Sequence, residues 1–112
     1  MGMHPNTFLA ADVSGPDIDK FRTLLTTEDD EVEFIVGEIA YQGSSGDDDQ
    51  HYYDGVEEII RLYNYITYGY GEIVSISQVL YMSNTLWQTL DTFIAQNNLD
   101  VTFTLVIGAT YW

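Results

Sequence analysis

Six carboxylates, Asp47, Asp48, Asp49, Asp54, Glu57 and Glu58, stand within residues 47–58, with His51, Tyr52 and Tyr53 among them. Side chains of these types can chelate a hard cation, exchange protons as an acid–base pair, or present negative charge and aromatic rings to a basic partner. Their spacing argues against the first two. A calcium loop counted from Asp47 would place Asp49 third, His51 fifth and Glu58 twelfth, but Tyr52 occupies the sixth position, where the sharp turn needs glycine, and GSSG replaces the preceding helix. His51 sits among acids that favour its protonated form and lacks a second positioned group to make it a general base, while His4 falls in a terminal stretch expected to fray. With eighteen acids in the chain, some pair will fall at any chosen distance, so carboxylate pairs carry no specific signal for glycoside hydrolysis.

Other chemistries lack parts. There is no cysteine, no serine nucleophile motif and no glycine-rich phosphate cradle following a strand. The three basic residues, Lys20, Arg22 and Arg61, offer little to hold a phosphate substrate. The chain therefore reads as non-enzymatic, with no metal and no cofactor.

Charge is the strongest global feature: three basic residues against eighteen acidic ones give a formal net charge of −15. Such a field repels nucleic acid and anionic lipid and attracts basic protein surfaces. The chain is nevertheless 46% hydrophobic and 14% aromatic, too apolar for a disordered acidic tail. At 112 residues it reads as a single domain, 1–112. The opening MGMHPNTFLAADV lacks the basic and apolar regions of a signal peptide, and no segment approaches a membrane span, so a soluble, cytoplasmic protein is expected.

The elements that must position these residues follow from hydrophobic periodicity. Residues 7–13 predict a short strand, and Ser14-Gly15-Pro16 opens a helix with Ile18, Phe21, Leu24 and Leu25 inside. Glu28, Asp29, Asp30 and Glu31 form a second acidic group. From there Val32, Phe34 and Val36 alternate with Glu31, Glu33 and Ile35 in a strand, expected to kink or bulge near Gly37. Residues 42–50 read as a flexible loop.

For the central segment, Asp54 and Glu57 suggest a capping box, and Val56, Ile59, Ile60, Tyr63, Ile66 and Thr67 recur at helical steps, predicting a helix from Gly55 to a stop at Gly69. It would bury Tyr63, turn Tyr65 and Tyr68 outward, and pair Arg61 with Glu57. Residues 72–83 satisfy both periods and are taken as a strand. Ser83 or Asn84 would then cap a helix burying Leu86, Leu90, Phe93 and Ile94, and residues 101–107 alternate as the clearest strand. The order is β-α-β-α-β-α-β: an α+β fold with a small mixed or antiparallel sheet of about four strands, covered on one face by about three helices.

In charge and size over its whole length, the chain resembles DNA-mimic proteins encoded by phages and mobile elements, including anti-restriction and anti-CRISPR inhibitors. Those proteins share no common motif or fold, so the resemblance assigns no individual residue a role. It implies a non-enzymatic inhibitor or immunity-type protein that binds the basic, nucleic-acid-facing surface of a nuclease or effector. The expected contact residues are Asp47, Asp48, Asp49, Asp54, Glu57 and Glu58, with Tyr52, Tyr53 and Tyr65 as anchors, and Glu28, Asp29, Asp30 and Glu31 as a second patch. Two alternatives stand beside it. One is a small assembly protein, possible as a homodimer, that self-associates through the terminal strand and the tail Ala109-Thr110-Tyr111-Trp112. The other is a salt-adapted domain whose charge serves solubility.

Overall fold

The structure, a computed structural model, describes residues 5–25, 31–44, 59–68 and 71–111. Five strands and two helices follow in the order β1 (Pro5–Ser14), α1 (Ile18–Leu25), β2 (Glu31–Val36), β3 (Ile39–Ser44), β4 (Ile60–Tyr68), α2 (Ile76–Gln96) and β5 (Thr102–Tyr111). The strands form one antiparallel sheet in the order β2-β3-β4-β1-β5. The fold is therefore α+β, with one strand more and one helix fewer than the sequence suggests.

β1 holds the centre. Its alternate residues Leu9, Ala11 and Val13 join Ile60 and Leu62 of β4, Val32, Phe34 and Val36 of β2, and Tyr41 of β3 in the main core. Both helices close over this face. α1 contributes Ile18, Phe21 and Leu25, α2 contributes Leu86 and Leu90, and Leu99 and Val101 seal the approach to β5. Phe93 of α2 meets Phe21 and Phe34 edge-on, with ring centroids 5.9 and 5.5 Å apart, so one aromatic side chain links both helices to β2.

Three sequence expectations need correction. The segment expected to form a central helix is strand β4 over Ile60–Tyr68; residues 55–58 lie outside the described residues. Its β-branched and aromatic residues suit a pleated sheet, where Ile60 and Leu62 face the core and Tyr63 does not. The segment taken as a strand at 72–83 contains the first turns of α2, which runs unbroken for 21 residues. Its N-cap is Ser75, whose side chain accepts a hydrogen bond from the Gln78 N–H at 3.1 Å. Finally, Gly37 is not a kink within one strand. Val36 pairs with Ile39, leaving Gly37 and Glu38 as a two-residue hairpin turn, and the positive φ of 65° at Gly37 meets the demand of a type II′ turn.

Two junctions fix the helices onto the sheet. α2 ends with Asn98 at φ 51°, while Leu99 N–H donates to the Ile94 carbonyl and so satisfies a terminal acceptor. At the β1–α1 junction the Asp17 carboxylate accepts the Asp100 N–H at 2.7 Å, and the Asp17 N–H donates to the Asp100 carbonyl at 3.2 Å. Gly15 makes this approach possible. Its φ is 143°, and a Cβ there would lie 2.6 Å from the Asp100 carbonyl oxygen. Gly15→Ala should therefore cost about 3 kcal/mol, against about 1 kcal/mol for Gly37→Ala, where strain acts without a clash. Urea denaturation of the two variants checks the difference, and equal losses would contradict this account of the junction.

Candidate functional site: an aromatic row on the helix-free sheet face

The second face of the sheet carries no helix among the described residues. Strand alternation places Phe8, Ala10 and Asp12 of β1 there, beside Arg61, Tyr63 and Tyr65 of β4, Glu31 and Glu33 of β2, and Gln42 of β3. A register shift between Thr7 and Phe8 pairs Phe8 with Tyr65 but Thr7 with Thr67, leaving Ile66 as the extra residue on β4. This bulge turns Tyr68 onto the same face as Tyr65, although three positions separate them. The result is a row of rings: Phe8–Tyr63 at 5.7 Å, Tyr63–Tyr65 at 5.5 Å, Phe8–Tyr65 at 6.1 Å and Tyr65–Tyr68 at 5.6 Å between centroids.

The row is held from both sides. Phe8 lies against Gly108 of β5, where a Cβ would come within 2.7 Å of the ring, so only glycine leaves space for it. Beyond the other end, the Tyr68 N–H donates to both oxygens of Glu72, at 2.8 and 3.1 Å. Between β3 and β4 the rings border an open depression of about 470 Å³, lined by Tyr63, Tyr65 and Tyr68 together with Glu38, Gln42 and Asn64.

Acidic groups flank the rings, and the basic residues are already engaged. Asp12 and Arg61 are directly paired across β1 and β4, with Nε–Oδ1 at 2.6 Å and Nη2–Oδ2 at 2.9 Å. The guanidinium also stands 5.9 Å from the Phe8 ring centroid. Its hydrogen bond to Asp12 raises the Arg61 pKa above its usual value. Arg61 thus pairs with Asp12; Glu57, the partner expected from helical spacing, lies outside the described residues. Arg22 meets Asp19 at 2.6 Å and Lys20 lies 3.9 Å from Asp17. Each of the chain's three cations therefore has an aspartate beside it.

Of the expected contact residues, Glu31 and Tyr65 are described and share this face. Both adjoin Tyr63, whose phenol is pushed up first by burial and then by the neighbouring Tyr65 and the charge of Glu31. Asp47, Asp48, Asp49, Asp54, Glu57, Glu58, Tyr52, Tyr53, Glu28, Asp29 and Asp30 lie outside the described residues. Their attachment points are nonetheless close. Glu31 pairs with Ser44, so segments 26–30 and 45–58 join the β2–β3 hairpin at the same end. The sequence reading missed Phe8, Tyr63 and Tyr68 as members of one row; the period-two alternation of Arg61, Tyr63 and Tyr65 was the available signal.

Among the described residues no three His, Asp or Glu side chains are grouped to hold a metal ion. No helix among them is long and apolar enough to cross a membrane. Comparison with family models, curated proteins and solved structures finds no match to this chain.

Buried Tyr41 and half-buried Tyr63 make the fold sensitive to high pH. Burial raises Tyr41, and burial with its neighbours raises Tyr63, above the ordinary value of 10.0. The folded state therefore holds these protons to higher pH than the unfolded chain. That stabilising contribution is complete below pH 10.0 and is lost as pH rises through the raised folded values. Phenolate absorbance should show a late-ionising fraction, reduced in Tyr63→Phe, and urea midpoints should fall above that pH. A single ionisation step with unchanged midpoints would contradict the assignment.

Proposed function

We propose that this chain is a non-enzymatic acidic inhibitor or immunity-type protein that acts in the cytoplasm on a basic, nucleic-acid-facing protein surface. The observation that carries the proposal is the helix-free face, where the row Phe8, Tyr63, Tyr65 and Tyr68 lies on the same side of the sheet as Glu31 and Glu33, with Glu38 beside Tyr68, while each cation stands beside an aspartate. Carboxylates take the place of phosphates, and the tyrosines cover guanidinium planes that would otherwise lie along a nucleic-acid backbone.

The topology supports the same direction. Nine of the eighteen acids belong to segments 26–30 and 45–58, which join the hairpin at Glu31 and Ser44. A target attracted by that charge would find the aromatic row on the adjoining strands. Long-range attraction would set the rate of encounter, and the rings would set the lifetime of the complex. On this reading the chain is a DNA mimic of the anti-restriction or anti-CRISPR kind, and a nuclease or effector complex is the corresponding target class.

The test is capture from a nuclease-bearing bacterial lysate at about 50 mM and about 500 mM salt, followed by competition with duplex DNA. One dominant nucleic-acid-binding protein, released by DNA, is the expected result. Against that target, reversing Asp47, Asp48 and Asp49 to lysine should slow association at least about tenfold and flatten its salt dependence, while Tyr65→Ala should mainly speed dissociation. A diffuse set of basic proteins lost at the higher salt, or an association rate indifferent to the reversal, would overturn the proposal.

A further inference from the structure

The two edges of the sheet are built in opposite ways. β2 is six residues long and carries Glu31 and Glu33, with Glu38 in the adjoining turn, so its open edge is charged. β5 is ten residues long, TFTLVIGATY, and contains no charge and no proline. Among the described residues only β1 pairs with it, which leaves its outer amides and carbonyls facing away from the sheet. Long uncharged edges recruit another strand unless they are blunted or covered.

The helix above this edge exposes apolar side chains on the same side, with Asp91 one turn beyond Trp87 on that flank. Phe93 on one flank of α2 meets Phe34 of β2, while Trp87 on the opposite flank meets Phe103 of β5 at 6.0 Å. Ile76 and Leu80 fall on the Trp87 flank by helical spacing. They are 77% and 57% exposed, Trp87 is 48% exposed, and Ile107 of β5 is 60% exposed on the helix-covered face. Asp91 is the single charged residue in α2.

We propose that this surface binds a second copy of the chain, β5 pairing antiparallel with β5 across a two-fold axis perpendicular to the sheet, and α2 packing beside α2. Charge selects the occupant. Two copies at −15 each repel wherever their acidic surfaces meet, and the β5–α2 side is the region where strand and helix together bring one carboxylate per copy. A foreign basic partner would be drawn instead toward the acid-rich end of the β2–β3 hairpin. The size also fits. A ten-residue strand edge of about 33 Å, times a sheet-plus-helix depth of about 20 Å, gives roughly 700 Å² per copy, close to the ~800 Å² of a stable interface. The inference is independent of the proposed function, because it uses the opposite edge of the sheet.

Sedimentation equilibrium of the full chain at about 50 μM and about 150 mM salt tests it, since a micromolar Kd would leave most chains paired there. The expected species has twice the 12.7 kDa mass of the chain. Ile107→Lys and Leu80→Lys, both at exposed positions, should each give monomers with unchanged circular dichroism. Hydrogen exchange on the unaltered chain provides a readout that does not depend on the variants: the outward amides of β5 should gain protection with protein concentration. A monomer throughout the concentration range, a dimer insensitive to both substitutions, larger open-ended assemblies, or β5 amides that exchange freely in the dimer would each overturn the proposal.

Discussion

The structure depends on the burial of β1 from both sides. β1 pairs with β5 over its whole length and with β4 over most of it, and Phe8, Leu9, Ala10, Ala11 and Val13 are all buried. β1 does not alternate cleanly between apolar and polar residues, because the helices cover Leu9, Ala11 and Val13 while Phe8 and Ala10 on the helix-free face are buried among side chains of the neighbouring strands. The two alanines at its centre make room for larger neighbours in register: Tyr63 and Val106 beside Ala10, and Leu62 and Leu105 beside Ala11. Enlarging either alanine would force those side chains from their rotamers, costing typically 1–3 kcal/mol. The central strand therefore ties together the helix-covered core and the aromatic row on the opposite face.

Charge is distributed around that framework. A net −15 on 112 residues opposes compaction. Half of the acids belong to segments 26–30 and 45–58, which join the hairpin at Glu31 and Ser44, and each of the three cations stands beside an aspartate. The Asp12–Arg61 pair is half exposed at the arginine, so screening holds its contribution to about 1 kcal/mol or less. Its larger effect is positional, because it holds the guanidinium over Phe8 and fixes the end of the ring row. Across the sheet the surface grades from acidic at β2, through aromatic at β4 and β1, to uncharged at β5.

Where burial enforces a period, the sequence was legible. Ile18–Leu25, Glu31–Val36 and the C-terminal strand each show one hydrophobic period and form the expected element, and the short apolar run at residues 7–13 forms the expected strand without a clean period. The central segment showed helical spacing. Ile60, Tyr63, Ile66 and Thr67 fit a helix, and the acids at 54 and 57 looked like a cap; yet Ile60–Tyr68 is rich in β-branched and aromatic residues, and pairing with β1 decided the outcome. At the start of α2, Ile76 and Leu80 are exposed, so no core constrained the pattern there; the cap at Ser75 with Gln78 three residues on was the better guide. The bulge at Ile66 has no signature in composition. Without it Tyr68 would face away from Tyr65, so part of the candidate site was out of reach of periodicity altogether.

The two surfaces can operate in the same molecule because sheet geometry separates them. Neighbouring strands lie about 4.8 Å apart, so pairing β5 with β5 would make a ten-stranded sheet whose β2 edges stand about 43 Å apart. That is several times the ~8 Å Debye length at physiological salt, so most of the repulsion between the two acidic hairpin ends would be screened. The same spacing leaves both aromatic rows uncovered, since a two-fold axis perpendicular to the sheet keeps the helix-free faces on one side. A dimer of this form would present two acidic-aromatic surfaces in parallel. A two-fold-symmetric basic target, or two neighbouring basic sites on one assembly, would then be engaged with an effective concentration that a monomer lacks. The asymmetry between a charged β2 edge and a bare β5 edge would then have a physical rationale: the charged edge would keep copies from meeting at the proposed binding end, and the bare edge would let them meet where that binding is not obstructed.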